Sequence, residues 1–335
     1  MNAPVGVFVA TSTPPERIAV LAASAERLGF GEVWVAEDYF CYGGFTGAAL
    51  ALGATQRVKV GLGVVASVAR HPAVTAMEIA TLAMAYPGRF LPSIGHGVPF
   101  WTDQMGVTAK SPLSALTECV EGVRALLAGV TVDAEGRQFT FRSVTATHRP
   151  EEQVPILTGV LGPKSLRLSG RIADGTVMSV LAGTKYLETA LSHIREGMAA
   201  SGHTEHVTPT FALFSVAKDG KQARRAVRPA LANYLSAVGP HNPLTAAFGY
   251  NDHLTELLAG DADTVAEALP EEWIDTLTVA GDPDEVAARI SELRAAGATS
   301  VVLSPVNAES AQDELELVAD TVLPQVVRKG NGTWI

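Results

Sequence analysis

The run PPERIAVLAASAERLGFGEVWVAEDYF, residues 14–40, holds one helix and one strand in succession. Ile18, Leu21, Ala22, Ala25 and Leu28 recur at helical spacing behind a proline pair, and Gly29 stops the pattern. Glu32 to Ala36 then read as a compact β-run that ends on Glu37, Asp38 and Tyr39. The same order returns at GDPDEVAARISELRAAGA, Gly281 to Ala298, where Asp282 caps a helix, Pro283 opens it and Gly297 closes it ahead of a last strand. Helix and strand alternate in this way from one end to the other, which is the pattern of βα units.

Working outward from that unit, strands are predicted to begin at Val5, Glu32, Val58, Arg89, Pro155, Gly175, Thr208 and Ser300. That is the strand number of a (β/α)8 TIM barrel. No linker or break in composition divides residues 1–335, so a single α/β domain is expected. Two excursions interrupt the rhythm as insertions at the C-terminal face of the strands. Residues 129–154 read as a hairpin around Ala134, Glu135 and Gly136, and residues 239–274 as short helices. Both are candidates for covering an active-site mouth, with plain barrel decoration as the alternative.

Composition narrows the role. The net charge of −10 argues against nucleic-acid or anionic-membrane partners, which require a basic surface. The basic run KQARRAVR, Lys221 to Arg228, reads as the solvated face of a helix. No apolar run reaches the length of a membrane span, and the first residues lack the basic and apolar regions of a secretory signal. Cys41 and Cys119 form neither a disulfide framework nor a metal quartet, which points to a reducing cytoplasm.

Strand ends in a barrel deliver functional side chains, and so Glu37, Asp38 and Tyr39 are expected at a mouth. A carboxylate there can accept a hydrogen bond or act as a base, and a phenol can donate a proton. Glu37 is equally read as a loop cap or the partner of a basic group. GLGVVA, Gly61 to Ala66, matches a dinucleotide fingerprint only on paper, since its glycines lie inside a strand; they suggest a bulge instead. His71, before Pro72, reads as a helix cap. In SIGHGVPFW, Ser93 to Trp101, Gly95 and Gly97 flank His96, a candidate proton shuttle or cofactor ligand. LTGVLGPKSLRLSG, Leu157 to Gly170, has Pro163 at a helix start followed by Lys164, a phosphate-binding arrangement or an ordinary βα turn. No nucleophile elbow, P-loop or zinc motif is present, and no metal is expected. Few polar side chains beside a phosphate site suggest a protein that holds an organic cofactor.

These segments, in this order, resemble the bacterial-luciferase-like flavin and deazaflavin oxidoreductases over nearly the whole chain. RHPAV, GPKSLRL and IADG are most similar to the branch that uses coenzyme F-420, an 8-hydroxy-5-deazaflavin. The resemblance implies a non-prolyl cis peptide at Gly63-Val64 behind the cofactor ring and Asp38 near that ring. It also implies His96 and Gly97 beside the ring, Val160, Gly162, Pro163 and Lys164 facing the phosphate, and Ser179 as a further contact. The chain departs from the branch at Tyr39, where several dehydrogenases carry a histidine. It departs again at Val98, where sugar-phosphate dehydrogenases carry a glutamate, and at Pro92, where glycine is usual. Tyr39 suits proton donation during reduction better than alcohol oxidation. The reading is therefore hydride transfer between reduced F-420 and a small organic C=C or C=N substrate, with Tyr39 or His96 as proton donor. An FMN-dependent monooxygenase and a non-catalytic ligand-binding relative are the alternatives. A homodimer is implied by the resemblance alone.

Overall fold

The structure is a computed structural model that describes residues 4–260 and 262–326. Residues 1–3 and 327–335 of the expected domain, and Asp261 in the second excursion, lie outside the described residues. Each predicted strand forms: β1 (Val5–Phe8), β2 (Glu32–Val35), β3 (Lys59–Ala66), β4 (Phe90–Gly95), then, after the two hairpin strands β5 (Val132–Glu135) and β6 (Thr140–Val144), β7 (Leu157–Gly159), β8 (Gly175–Val177) and β9 (Pro209–Val216). The eighth, from Ser300, is β11 (Ser300–Pro305), and an unpredicted β10 (Val279–Gly281) precedes it.

The eight-strand expectation needs correcting to nine in the main sheet, whose order is β10-β9-β11-β1-β2-β3-β4-β7-β8. Every pairing in it is parallel. The extra strand is β10, only three residues long, too short to show a period in sequence. It pairs with the C-terminal half of β9, Val279 opposite Phe214 and Gly281 opposite Val216. The N-terminal end of β9 is met by β8 through isolated parallel bridges, Gly175 to Val207 and Met178 to Thr210. One edge of β9 is thus divided, its lower part facing β8 and its upper part β10.

The helices that follow the early strands are α1 (Pro15–Arg27), α2 (Gly44–Gly53), α3 (Pro72–Ala85), α4 (Pro99–Gln104) and α5 (Pro112–Leu127). Later ones are α6 (Pro163–Ile172), α7 (Thr184–Ser201) and α8 (Gly220–Val238), the short α9 (Pro243–Ala246), α10 (Asn251–Leu257), α11 (Ala262–Ala268) and α12 (Glu271–Leu277), and α13 (Pro283–Ala295). Gly29 ends the α1 turn at φ +91 and Gly297 the α13 turn at φ +112, and Asp282 with Glu285 forms a reciprocal capping box. Helices cover the outside of the sheet, so its strands are buried on both faces; Val33, Val35, Val60 and Leu62 are fully inaccessible. Buried side chains from Val5 to Val326 make one contiguous cluster.

Two surface expectations change. Arg224 and Arg228 do not form a solvated face: Arg224 holds Asp275 at 3.1 Å and Glu285 at 2.9 Å, and Arg228 donates to the Leu269 carbonyl at 2.8 Å. They tie α8 to α12 and α13. The hairpin forms as expected, but Glu118 of α5 clamps it by accepting from the backbone of Arg137, Gln138 and Phe139. The second excursion packs upon itself, with Tyr250 stacked on Phe248 at 5.4 Å and on Trp273 at 4.6 Å. Among the described residues, no helix is long and apolar enough to cross a membrane, and no group of three or more His, Cys, Asp or Glu could hold a metal ion.

Candidate active site

The irregular point in the sheet is on β3. Its register against β4 shifts between Leu62 and Val65, and the Gly63-Val64 peptide is cis. This bulge swings Val64 across the neighbouring strand ends. A Cβ on Gly95 would come within 2.7 Å of a Val64 methyl, and one on Gly159 within 2.5 Å, distances no side chain tolerates. Two strands therefore end in glycine to seat one valine. Gly61 is needed for a different reason, since a Cβ there would lie 2.2 Å from the Trp34 ring. The bulge forms one wall of a cavity of about 430 Å³, within the usual span of ligand sites, roughly 300–1,000 Å³.

Most of the residues anticipated from sequence converge on this cavity. Asp38, Tyr39, Gly63, Val64, His96 and Gly97 line it, as do Val160, Gly162 and Ser179. Pro163 and Lys164 do not. Pro163 opens α6 as expected, but Lys164 lies along a separate outer groove beside Arg167 and Arg171. Successive residues of a helix project about 100° apart, so Lys164 points away from the cavity and Ser165 points into it. Neither excursion lines the cavity, contrary to the expectation of a cover; its rim comes from the β2 and β4 ends, α4 and Tyr234 of α8.

The acids after β2 divide their roles. Glu37 is buried and accepts two hydrogen bonds from the Arg70 guanidinium, at 2.9 and 2.8 Å. It also accepts from the Gly44 N–H at 3.1 Å and from the Tyr39 hydroxyl at 3.0 Å. Both structural alternatives read for Glu37, cap and ion pair, hold at once. Burial, then the adjacent Glu37 charge, pushes the Tyr39 phenol far above its ordinary value, with Arg70 acting against them. Asp38 takes a hydrogen bond from the Thr11 hydroxyl at 2.9 Å; burial raises its carboxyl despite that bond.

On the opposite side His96 Nε2 lies 3.0 Å from Ser165 Oγ, and burial lowers the imidazole below its ordinary value. Gly97 takes φ +78, and a Cβ there would meet the Ala66 Cβ at 2.7 Å. His71 is the N-cap of α3, accepting from the Ala73 N–H at 3.1 Å, as the sequence indicated. Sequence reasoning missed Ser165, Tyr234 and Arg70 as participants. Only Arg70 left a signal, as the one arginine of SVARHPAV that an acid at the mouth could use.

Comparison with known proteins finds relatives along nearly the whole chain. Residues 2–300 match the family described as luciferase-like monooxygenase. The chain is 30% identical to a 5,10-methylenetetrahydromethanopterin reductase of Archaeoglobus fulgidus, over 90% of this chain and 93% of that one. It is likewise 30% identical to an F-420-dependent glucose-6-phosphate dehydrogenase of Beutenbergia cavernae, over 93% and 94%. The solved coenzyme F-420-dependent tetrahydromethanopterin reductase of Methanopyrus kandleri superposes with a TM-score of 0.85 at 26% identity, covering 97% of this chain and all of that one.

Proposed function

The chain belongs to the luciferase-like monooxygenase family, and on that premise we propose that it is a coenzyme F-420-dependent oxidoreductase acting on an organic substrate with a C=C or C=N bond. The observation that carries the reading is the Gly63-Val64 bulge, which backs a cavity whose far lip is the N-terminus of α6. The residues present suit the cofactor. Its ring would lie against Gly63 and Val64, beside Asp38, His96 and Gly97. Its phosphate would take the first N–H groups of α6 together with the Ser165 and Ser179 hydroxyls. When bound in its reduced form, the deazaflavin supplies a hydride.

The protein's part is to hold and deliver a proton. Tyr39 is protonated at neutral pH even at the ordinary value of a phenol, and burial raises it further, so it serves as a donor and not as a base. Its hydroxyl turns from Glu37 to the substrate as charge develops there, and the Arg70 guanidinium offsets the Glu37 charge facing the forming phenolate. His96, neutral through burial, keeps Ser165 in place and relays protons at Nε2. The divided edge of β9 supports a ring that closes as a (β/α)8 barrel in one domain. On α3, Val74, Met77 and Met84 are exposed apolar groups that recur on one stripe, which supports a homodimer through that face. Cys41 and Cys119 are both free, which suits a reducing cytoplasm.

Side-by-side titration of the protein with F-420 and with FMN tests the cofactor. Preferential F-420 binding is expected; preference for FMN would transfer the case to oxygen-dependent chemistry, and binding of neither to a ligand-binding relative. Tyr39→Phe is expected to lower turnover by about 10²–10⁴ with F-420 affinity unchanged. If turnover survives in both Tyr39→Phe and His96→Ala, the proton-donor assignment is wrong.

A further inference from the structure

The mouth of the cavity differs in character from its floor. The inner lining combines Gly63, Val64, Gly159 and Val160 with the rings of Phe8 and Phe211. The rim is aromatic: Tyr39 comes from the end of β2, Trp101 from α4 and Tyr234 from α8, with Phe40 packed against Tyr39 outside the lining itself. Phe40 is 69% exposed, Tyr234 41%, and Val98, which also lines the opening, 47%. The Trp101 and Tyr39 rings meet edge to face with centroids 6.1 Å apart, and Phe40 lies 5.9 Å from Tyr39. Large apolar side chains left in water around one opening mark a surface that a ligand covers.

Charge decides which ligand. Among the described residues no lysine or arginine lines the cavity, whereas two carboxyl side chains do, Glu37 and Asp38. The nearest guanidinium, Arg70, has both terminal nitrogens on Glu37 and its Nε 3.5 Å from Glu78. Lys164 faces the outer groove. A phosphate or carboxylate arriving on the Tyr39 side, away from the α6 N-terminus assigned to the cofactor phosphate, would find aromatic faces and no cationic side chain to receive it. An uncharged flat molecule would instead stack on those rings and cover the exposed rim at no desolvation cost for a charge.

We propose that the aromatic rim selects an uncharged, planar, aryl-bearing conjugated substrate and discriminates against phosphorylated or carboxylated ones. The proposal rests on reading the cavity as the cofactor site, and places the substrate on the Tyr39 side of it.

The test uses the full-length protein loaded with oxidised F-420, so that nothing turns over. Its probes are chalcone and the ring-carboxylated analogue of chalcone, followed by quenching of tryptophan fluorescence. Chalcone is expected to bind at least about tenfold more tightly than the carboxylate, a difference of about 1.4 kcal/mol. Trp101→Ser should weaken chalcone binding about tenfold or more while F-420 affinity stays the same. Tyr234→Ser, at a lining side chain 41% exposed, should weaken it in the same direction. Val98→Lys should reverse the preference by admitting the carboxylate. Equal or tighter binding of the carboxylate by the wild type overturns the proposal, as does unchanged chalcone affinity in both serine variants. A change of oligomeric mass in those variants, read by sedimentation, would identify the rim as a contact between copies and equally overturn it. If F-420 itself fails to bind while the chalcone preference persists in the unloaded protein, the cofactor reading falls and the recognition of neutral aryl groups stands.

Discussion

Replacing Glu37 by glutamine separates the two jobs assigned to that side chain. The carboxylate takes four hydrogen bonds, two from Arg70 and one each from Gly44 and Tyr39, and its side chain is 3% exposed. Glutamine keeps the shape but turns one acceptor into a donor that faces a guanidinium. Removing one partner of a buried pair costs about 3–5 kcal/mol. Arg70 is 24% exposed and has Glu78 at 3.5 Å as a second partner, so part of its charge remains compensated. A loss of about 2–3 kcal/mol is therefore expected for Glu37→Gln, read as a fall in the urea midpoint of the cofactor-free protein at unchanged slope. The second effect concerns acidity. The Glu37 charge helps to raise the Tyr39 phenol, and Arg70 lowers it; without the carboxylate the phenol becomes a stronger acid. The basic limb of the turnover profile, set by loss of the Tyr39 proton, should move to lower pH while turnover at neutral pH is retained. A stability loss under about 0.5 kcal/mol would refute the account of a buried, ionised pair. An unmoved basic limb would refute the electrostatic link to Tyr39.

Three further outcomes follow from the packing and charges. Gly159→Ala should force Val64 off its seat, cost about 1–3 kcal/mol through overpacking and weaken F-420 binding, and adding Val64→Ala should restore the affinity in a titration of the double variant. His206, held against the Thr176 hydroxyl at 2.7 Å, is lowered from 6.5 to about 4, chiefly by burial. The unfolded chain binds the proton first, so stability is complete above pH 6.5 and falls by about 3 kcal/mol as pH drops to 4. In His206→Gln, urea midpoints across that range should be flatter, and a slope equal to the wild type would remove His206 as the cause. Glu32, fully buried beneath Trp34 and Ser300, is raised by burial despite their hydrogen bonds. The folded form then holds its proton longer than the unfolded one, so stability declines as pH rises above the ordinary carboxylate range. Glu32→Gln should lose that decline, seen as a stability difference over wild type that grows from acid to neutral pH.

How much of this was legible in the chain can be judged from single residues. The helix of residues 15–27 and the strand of residues 32–35 appear where their periodicities place them, and so do the caps at His71 and Asp282. Those signals are local. A 3.6-residue or two-residue repeat, a proline at a first turn or a glycine at positive φ is fixed by the geometry of a few adjacent peptides. The bulge was legible for the same reason, because glycine weakens a β-run and persists there where the strand bulges or a neighbour comes close. The resemblance to deazaflavin enzymes supplied what locality cannot, the order in which strand ends meet one ligand.

What only the tertiary structure decided is direction and partnership. Lys164 and Ser165 are neighbours in sequence, yet the rotation of α6 sends the lysine to an outer groove and the serine to His96, 69 positions away. Glu37 finds Arg70 across 33 positions, and Val64 finds Gly95 and Gly159 on two other strands. The three-residue β10 exists because half of one edge of β9 remains open to it. The two excursions, conspicuous in sequence, turn to α5 in one case and to their own stacked rings in the other, and leave the rim to Tyr39, Trp101 and Tyr234. Backbone periodicity determines which elements form. Register, helix rotation and the fit of side chains across strands determine which atoms share a cavity, and those are properties of the assembled sheet and not of any one segment.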